Sequence, residues 1–448
     1  MHIGFLLIAL TIASSVQAAD TTPIGHRVAL SENSIKRYMF STETLADIKT
    51  EFDKRKLTVT DEQKAPLTGL PIRITAIGRS GYATPYFIER ADGRFHVYAE
   101  RRRPQHPTAP LPYVSQEVVF DTPNPEVSPV GTLSYPRSGG PFPGVVLVAG
   151  TGPHNRDGVM DLHKMLAVLA DHLTRQGFAV LRYDKRGVGL TGGALYPFST
   201  TDDYAADALA AVRFLKIQPN IDSQKIGILG HSEGGIIASM AAAEAPADVH
   251  FIVMLGGTGL PGIKIKSLQN AAASRADGME ESLVLLNQSQ EGELYEIAAS
   301  KRSHSDALAA MRAATQALPA ATKARLEIGR EGIPDEAFER SFLTPWLRRF
   351  LSLDPRDYLK RVTCPALALI GEKDLQVTSA ENLPEIERAL KHAAPTTVVR
   401  QLPGLNHLFQ TAKTGKQTEY LLIEQTIAPS ALNLVSTWMK QAVNNKSQ

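Results

Sequence analysis

Residues 225–238 constrain this chain more than any other stretch. Positions 226–229 are a short apolar run between polar residues, which suits a buried strand. After Glu233 the residues are small and aliphatic, which suits a helix packed close to a sheet. A strand that passes into a helix over so few positions needs a sharp turn, and Gly230, Ser232 and Gly234 supply it. A Cβ at either glycine would collide with the neighbouring strand or helix, and the serine between them takes strained backbone. Such a turn lifts the Ser232 hydroxyl above the sheet edge. A serine hydroxyl is a weak nucleophile alone, so other segments must supply a base, a carboxylate to orient it, and donors for an oxyanion. By chance alone, on the order of 0.1 matches to this Gly-x-Ser-x-Gly spacing arise in a chain of this composition, so the surroundings must carry the assignment.

The surroundings agree. From Tyr113 onward the pattern predicts strands at 114–120 and 130–135, an antiparallel pair, and then at 145–149, 179–183, 226–229, 251–255, 366–370 and 397–402. Helices are predicted at 164–176, 202–217, 235–245 and 383–392, with a closing helix at 430–441. Strands alternating with helices imply an α/β fold, a mostly parallel sheet covered on both faces. One insertion breaks the alternation. Residues from about 260–350 are mainly helical in pattern and rich in Ala, Glu, Leu and Arg, and are read as a helical lid. Phe342, Trp346 and Phe350 are expected to pack its return to the sheet.

Two loops follow predicted strands downstream of Ser232. The first, 371–377, holds Glu372, Lys373 and Asp374; the second, 403–409, holds His407. Groups at the carboxyl ends of neighbouring strands meet above the sheet, where the serine also stands. His407 is the candidate base for the Ser232 proton, and Asp374 the candidate partner for the far imidazole nitrogen. Glu372 competes with Asp374 for that role, and Lys373 is read as a surface residue. The Glu233 N–H is one candidate oxyanion donor. The second is expected from the loop of Gly150, Thr151, Gly152 and Pro153, with Thr151 as the donor and Gly150 and Gly152 letting backbone approach the substrate, unless those glycines merely make a tight turn. His154 rims this loop and either contacts substrate or orders it. His231 is a possible substrate contact, though a packed turn residue is the simpler reading. The Glu233 carboxylate is expected to complement the positive end of its helix. Residues 182–189 lack phosphate-loop or dinucleotide spacing and are read as a structural turn.

At 448 residues the chain exceeds the usual single domain. Hydrophobic content of 43% supports a sizeable core, and a net charge of +2 gives no support for nucleic-acid or membrane-surface binding. The one cysteine, Cys364, precludes an internal disulfide and a cysteine-rich metal site, and its place before an apolar run indicates packing. Residues 1–19 read as a signal peptide cleaved near Ala18 or Ala19, implying export to the periplasm or the medium. Their apolar run is too short to span a bilayer. Residues 20–103 are read as a small α+β accessory domain, with a loosely helical stretch at 31–56 and strands at 72–77, 86–90 and 95–100. An Asp92-Gly93 turn joins the last two. The proline-rich segment 104–112 reads as a linker whose preceding arginines, Arg101, Arg102 and Arg103, are solvated.

Taken together, residues 149–157, 182–189, 230–235, 371–377 and 402–410 resemble the α/β-hydrolase superfamily. Within it they resemble bacterial serine carboxylesterases with a serine-aminopeptidase-like hydrolase domain. The resemblance spans 113–448, with Thr151 where relatives often have Ser. It implies Ser232, Asp374 and His407 as a triad, an acyl-serine intermediate, a small-molecule ester substrate, and no metal or cofactor. A peptidase on the same triad would need a site for a substrate ammonium, which Glu280, Glu281, Glu291 or Glu293 in the lid would furnish. Acyl transfer to an alcohol and a non-catalytic binding protein on the same scaffold are the other readings. Nothing in the sequence specifies the oligomeric state.

Overall fold

The computed structural model describes residues 38–54, 58–63, 72–77, 83–91, 94–99, 103–329 and 332–444. The expected signal peptide, the turn at 92–93, and Arg101 and Arg102 lie outside them.

The N-terminal part is a five-stranded antiparallel sheet in the order β1-β5-β4-β3-β2. Its strands are β1 (Tyr38–Thr42), β2 (Thr58–Gln63), β3 (Ile72–Ile77), β4 (Ala83–Ala91) and β5 (Arg94–Ala99). β4 and β5 pair antiparallel, with Ala91 facing Arg94. Among the described residues, the stretch expected to be helical from 31 divides instead: β1 pairs with β5, and Leu45–Lys54 is helix. Tyr38, Phe40 and Thr42 sit at strand period with strand-favouring side chains, and a non-local pairing decided their state.

The second sheet has eight strands: β6 (Tyr113–Val119), β7 (Val130–Pro136), β8 (Phe142–Val148), β11 (Ala179–Tyr183), β12 (Ile221–His231), β13 (Phe251–Leu255), β14 (Ala366–Gly371) and β15 (Val398–Leu402). A separate two-stranded ribbon, β9 (Val159–Met160) and β10 (His163–Lys164), follows β8. The order is β15-β14-β13-β12-β8-β11-β7-β6, parallel from β15 to β11 and antiparallel at β7. Chain order reverses at β8, which lies between β12 and β11, so the loops leaving β8 and β12 splay apart there. Such a crevice is where α/β sheets take ligands. The inner strands are buried on both faces. One core packs the helices Thr201–Lys216, Glu233–Glu244 and Ser379–Ala389 with the insertion; the other packs Met165–Arg175 and Pro429–Asn444.

The insertion is helical, running from Gly262–Ala276 to Arg356–Leu359. Trp346 stacks on Phe350 with ring centroids 5.1 Å apart, at the return to the sheet as expected. Phe342 packs instead within the insertion, against Tyr295. Cys364 is a packed residue whose thiol is pushed by burial to about 12. No helix among the described residues is long and apolar enough to cross a membrane.

Arg103 corrects the reading of a solvated linker end. It is buried, and its guanidinium donates to the carbonyls of Leu421 (3.0 Å) and Asp161 (3.3 Å). Beside it the Gln105 amide oxygen accepts from the Thr426 and Ile427 N–H groups, and its NH2 donates to the Ile427 carbonyl. The long arginine stem and the amide fork reach backbone groups more than 300 positions away, which no local pattern reveals.

Buried histidines set a pH dependence, and two of them are displaced furthest. His231 is held at about 3 by burial and by His407, and His163 at about 3 by burial and by Arg103. Both stay neutral in the folded protein at pH 5, whereas in the unfolded chain they protonate near 6.5. Unfolding therefore takes up protons once the pH falls below about 6.5, and stability declines by roughly 1.4 kcal/mol per pH unit for each histidine until about pH 3. Urea unfolding at pH 7.5 and 5.0 should show the loss, and His163→Gln should shallow the pH slope by about one proton. An unchanged slope in that variant would contradict this account.

Candidate active site

Ser232 sits between the last residue of β12 and the helix Glu233–Glu244, with φ 56° and ψ −121°. That is the strained backbone expected of it. A Cβ on Gly230 would lie 1.9 Å from the Gly234 carbonyl oxygen, and one on Gly234 would lie 2.4 Å from the Val148 carbonyl oxygen on β8. The first glycine thus admits the helix and the second admits the neighbouring strand. The ladder continues one step past the strands: Ser232 N–H donates to Leu255 O and Gly256 N–H to Leu369 O, both at 2.8 Å. These bonds bring the loops after β12, β13 and β14 to one rim.

At that rim Asp374 and His407 meet. His407 Nδ1 donates to Asp374 Oδ2 at 2.7 Å, and both side chains are sealed from solvent. Asp374 Oδ1 accepts the N–H groups of Gln376 (2.9 Å) and Val377 (2.8 Å), which fixes the carboxylate in its own loop. The histidine loop is tied by buried Asn406, whose Oδ1 accepts from the Leu408 and Gln410 N–H groups. A Cβ on Gly371 would lie 2.2 Å from the Leu405 carbonyl oxygen, so the glycine lets the two loops touch. Glu372 turns elsewhere, accepting the Gly404 N–H at 2.7 Å from an exposed position. Lys373, read as surface, donates to the carbonyls of Ala412 and Lys413 and pins the loop.

The β8 loop approaches from the other side of the serine. A Cβ on Gly150 would lie 3.0 Å from Ser232 Cβ, so this glycine is needed for close approach and is more than a turn former. Gly152, at φ +114°, carries the turn. Among the described residues neither the Thr151 nor the Glu233 N–H donates to a protein acceptor; Glu233 follows Ser232 in the chain, and Thr151 follows Gly150, which closely approaches it. His154 Nε2 donates to the Thr151 carbonyl at 2.8 Å, and its N–H donates to Gly152 O. It orders the loop, and burial holds it neutral with a pKa of about 4.

His231 takes the simpler of its two readings, a packed turn residue: it is buried, donates from Nε2 to the His407 carbonyl at 3.0 Å and lies 4.7 Å ring to ring from His407. The Glu233 carboxylate stands in the first turn of its helix, at the positive end as expected, but its hydrogen bonds lead elsewhere. Its Oε1 accepts from Thr201 Oγ1 (2.8 Å) and Trp346 Nε1 (2.7 Å), and Oε2 faces Lys185 Nζ at 3.8 Å. Sequence reasoning missed Lys185 and Thr201 here, and took Trp346 only as packing. A lysine between Asp184 and Arg186 carries no signal of burial. Among the described residues no cluster of three or more His, Cys, Asp or Glu side chains is arranged to hold a metal ion.

Residues 157–322 match a family model described as serine aminopeptidase, S33. That span contains Ser232 and stops before Asp374 and His407. The chain is 26% identical over 320 residues to esterase EstD of Thermotoga maritima, covering 69% of this chain and 65% of the relative. It thus spans about 65% of the length of that curated relative. Among solved structures, α/β hydrolase GrgF from Penicillium sp. sh18 is 16% identical with a TM-score of 0.47, covering 74% of this chain and 100% of that one. Esterase Pf2001 of Pyrococcus furiosus is 15% identical with a TM-score of 0.43, covering 74% and 94%.

Proposed function

We propose that this chain, a member of the α/β-hydrolase superfamily, is a serine esterase acting on small carboxylic esters through an acyl-serine intermediate. The observation that carries the proposal is the solvent-sealed Asp374–His407 pair, held at 2.7 Å on the rim where Ser232 stands in strained backbone. With Nδ1–H bound to a carboxylate, the imidazole presents an unprotonated Nε2, the tautomer a general base needs. In the proposed mechanism Ser232 Oγ attacks the acyl carbon while its proton passes to His407 Nε2. The carbonyl electron pair moves to oxygen and is received by the Thr151 and Glu233 N–H groups. Collapse of the tetrahedral species breaks the bond to the alcohol, which leaves with the proton from His407. Water then repeats the sequence on the acyl-serine and releases the acid.

Ester is favoured over peptide by the state of three of the four lid carboxylates, the fourth, Glu293, being exposed on its helix. Glu281 is paired with Arg275, Glu280 accepts from Ser282, and Glu291 accepts from Asn270 Nδ2 at 2.8 Å. Burial raises the Glu291 pKa, which makes it a poor partner for a substrate ammonium. The full chain should hydrolyse p-nitrophenyl acetate or butyrate with kcat/KM at least about 100-fold above that for amino-acid p-nitroanilides. A preference for the anilides would replace the esterase assignment with a peptidase.

A further inference from the structure

The mechanism above leaves one buried cation without a role. The Lys185 side chain is 5% exposed and follows β11 in a turn locked by two charge pairs. Asp184 accepts the Arg156 guanidinium, with Nη2 to Oδ2 at 2.7 Å. Arg186 binds Asp207 in bidentate fashion at 2.6 and 2.8 Å. The turn is therefore rigid, and the ammonium is presented inward. Lys185 Nζ donates to the Gly150 carbonyl at 2.9 Å, lies 3.8 Å from Glu233 Oε2, and sits 3.8 Å above the centre of the Tyr204 ring. The Lys185 N–H also donates to the His154 carbonyl, tying the turn to the β8 loop at a second point.

Two of these contacts bear on the oxyanion donors: one lands on Gly150, which precedes Thr151, and one on Glu233 itself. The Gly150 carbonyl and the Thr151 N–H belong to one peptide group, and in a planar trans peptide they point in opposite directions. Holding the carbonyl at Lys185 therefore aims the N–H away from it. A cation on the carbonyl oxygen also polarises the peptide and strengthens the N–H as a donor. Glu233 supplies the other N–H, and its carboxylate is a hazard: a fully buried negative charge in the residue that must stabilise a developing oxyanion. Its Oε1 is occupied by Thr201 and Trp346, while Oε2 has no hydrogen bond and faces only the ammonium as counter-charge among the described residues.

We propose that Lys185 is a positioning residue for the oxyanion site, aiming the Gly150–Thr151 peptide and neutralising the Glu233 carboxylate so that both N–H groups serve the tetrahedral intermediate. This deepens the esterase proposal and rests on it. Lys185 touches no reacting atom; it acts through the two donors.

A role in the transition state is separable from a role in folding. Lys185→Met keeps the stem and removes the cation; it should lower kcat about 10- to 100-fold with KM changed less than about threefold. A trifluoromethyl ketone, which forms a tetrahedral adduct on the serine, should lose affinity by a similar factor. Because Lys185→Met leaves Glu233 buried without a counter-charge, it is paired with Lys185→Met/Glu233→Gln, which removes both charges and keeps the Oε1 contacts. The double variant should fold, recover the thermal stability lost in the single one, and recover only part of the kcat deficit, because the charge on residue 233 is gone while the Gly150–Thr151 peptide is still unheld. Recovery of wild-type kcat in the double variant, or unchanged ketone affinity in either, would overturn the proposal. Ser232→Ala run alongside keeps the two ideas apart. Turnover surviving in that variant removes the esterase mechanism itself, whereas a dead Ser232→Ala beside fully active Lys185 variants removes only the role of Lys185.

Discussion

Replacing Ser232 by alanine will abolish ester turnover, by roughly 10^5-fold or more, and leave the fold as it is. Both halves of that result have structural reasons. Activity goes because the proposed chemistry assigns the attack to Ser232, and the neighbouring charged and basic side chains are committed elsewhere: His231 is neutral and bonded to the His407 carbonyl, Glu372 accepts the Gly404 N–H, and Lys185 is held on Gly150 O. Stability stays because alanine keeps the Cβ that already tolerates φ 56°, and the hydroxyl donates to no protein group among the described residues. A fluorophosphonate should label the wild-type chain and fail on the variant, while thermal unfolding midpoints coincide within about 2 °C. Wild-type-like ester rates in a folded Ser232→Ala protein would remove the nucleophile assignment and the mechanism built on it.

The sheet that carries this chemistry was largely legible in the chain because period and punctuation report local geometry. The apolar runs 179–183 and 251–255 are strands with the bounds read from them, and the glycines around Ser232 stand where a Cβ would strike backbone. Asp374 is the first choice over Glu372 in the sequence, but what separates the two physically is loop geometry. Both follow β14, and the bonds from Gln376 and Val377 that aim Asp374, with the bond from Gly404 that draws Glu372 off, depend on loop closure. The charges whose burial the sequence does not reveal share one cause. Arg103, Lys185 and Glu233 look like surface residues by type, yet each is buried against groups distant in sequence. The Trp346 indole that binds Glu233 lies 113 positions away, and the Leu421 carbonyl that binds Arg103 lies 318 positions away. Composition and period carry no trace of such contacts. The polar strand β2 (Thr58–Gln63) was missed for a related reason, since its pairing with β3 sets its state and its own hydrophobic pattern is weak.

Asp374→Asn should lower kcat by about 10^4-fold at neutral pH with little change in KM, although the two side chains are nearly the same shape. The asymmetry of the carboxylate explains the size. Its Oδ1 already accepts two backbone N–H groups, at 2.9 and 2.8 Å, and only an oxygen can do so. An asparagine in this loop must therefore place its single oxygen at Oδ1 and turn its NH2 toward His407. That group donates to Nδ1, so the imidazole proton moves to Nε2, and the nitrogen that should accept the Ser232 proton is already protonated. The pair is sealed from solvent, so no water can substitute for the lost acceptor. Glu372→Gln, two positions away, should stay within about threefold of wild type, because the amide oxygen can still accept the Gly404 N–H and the site is exposed. Steady-state rates on one ester substrate suffice to compare them. Greater damage from Glu372→Gln than from Asp374→Asn would mean that the wrong carboxylate had been assigned to His407.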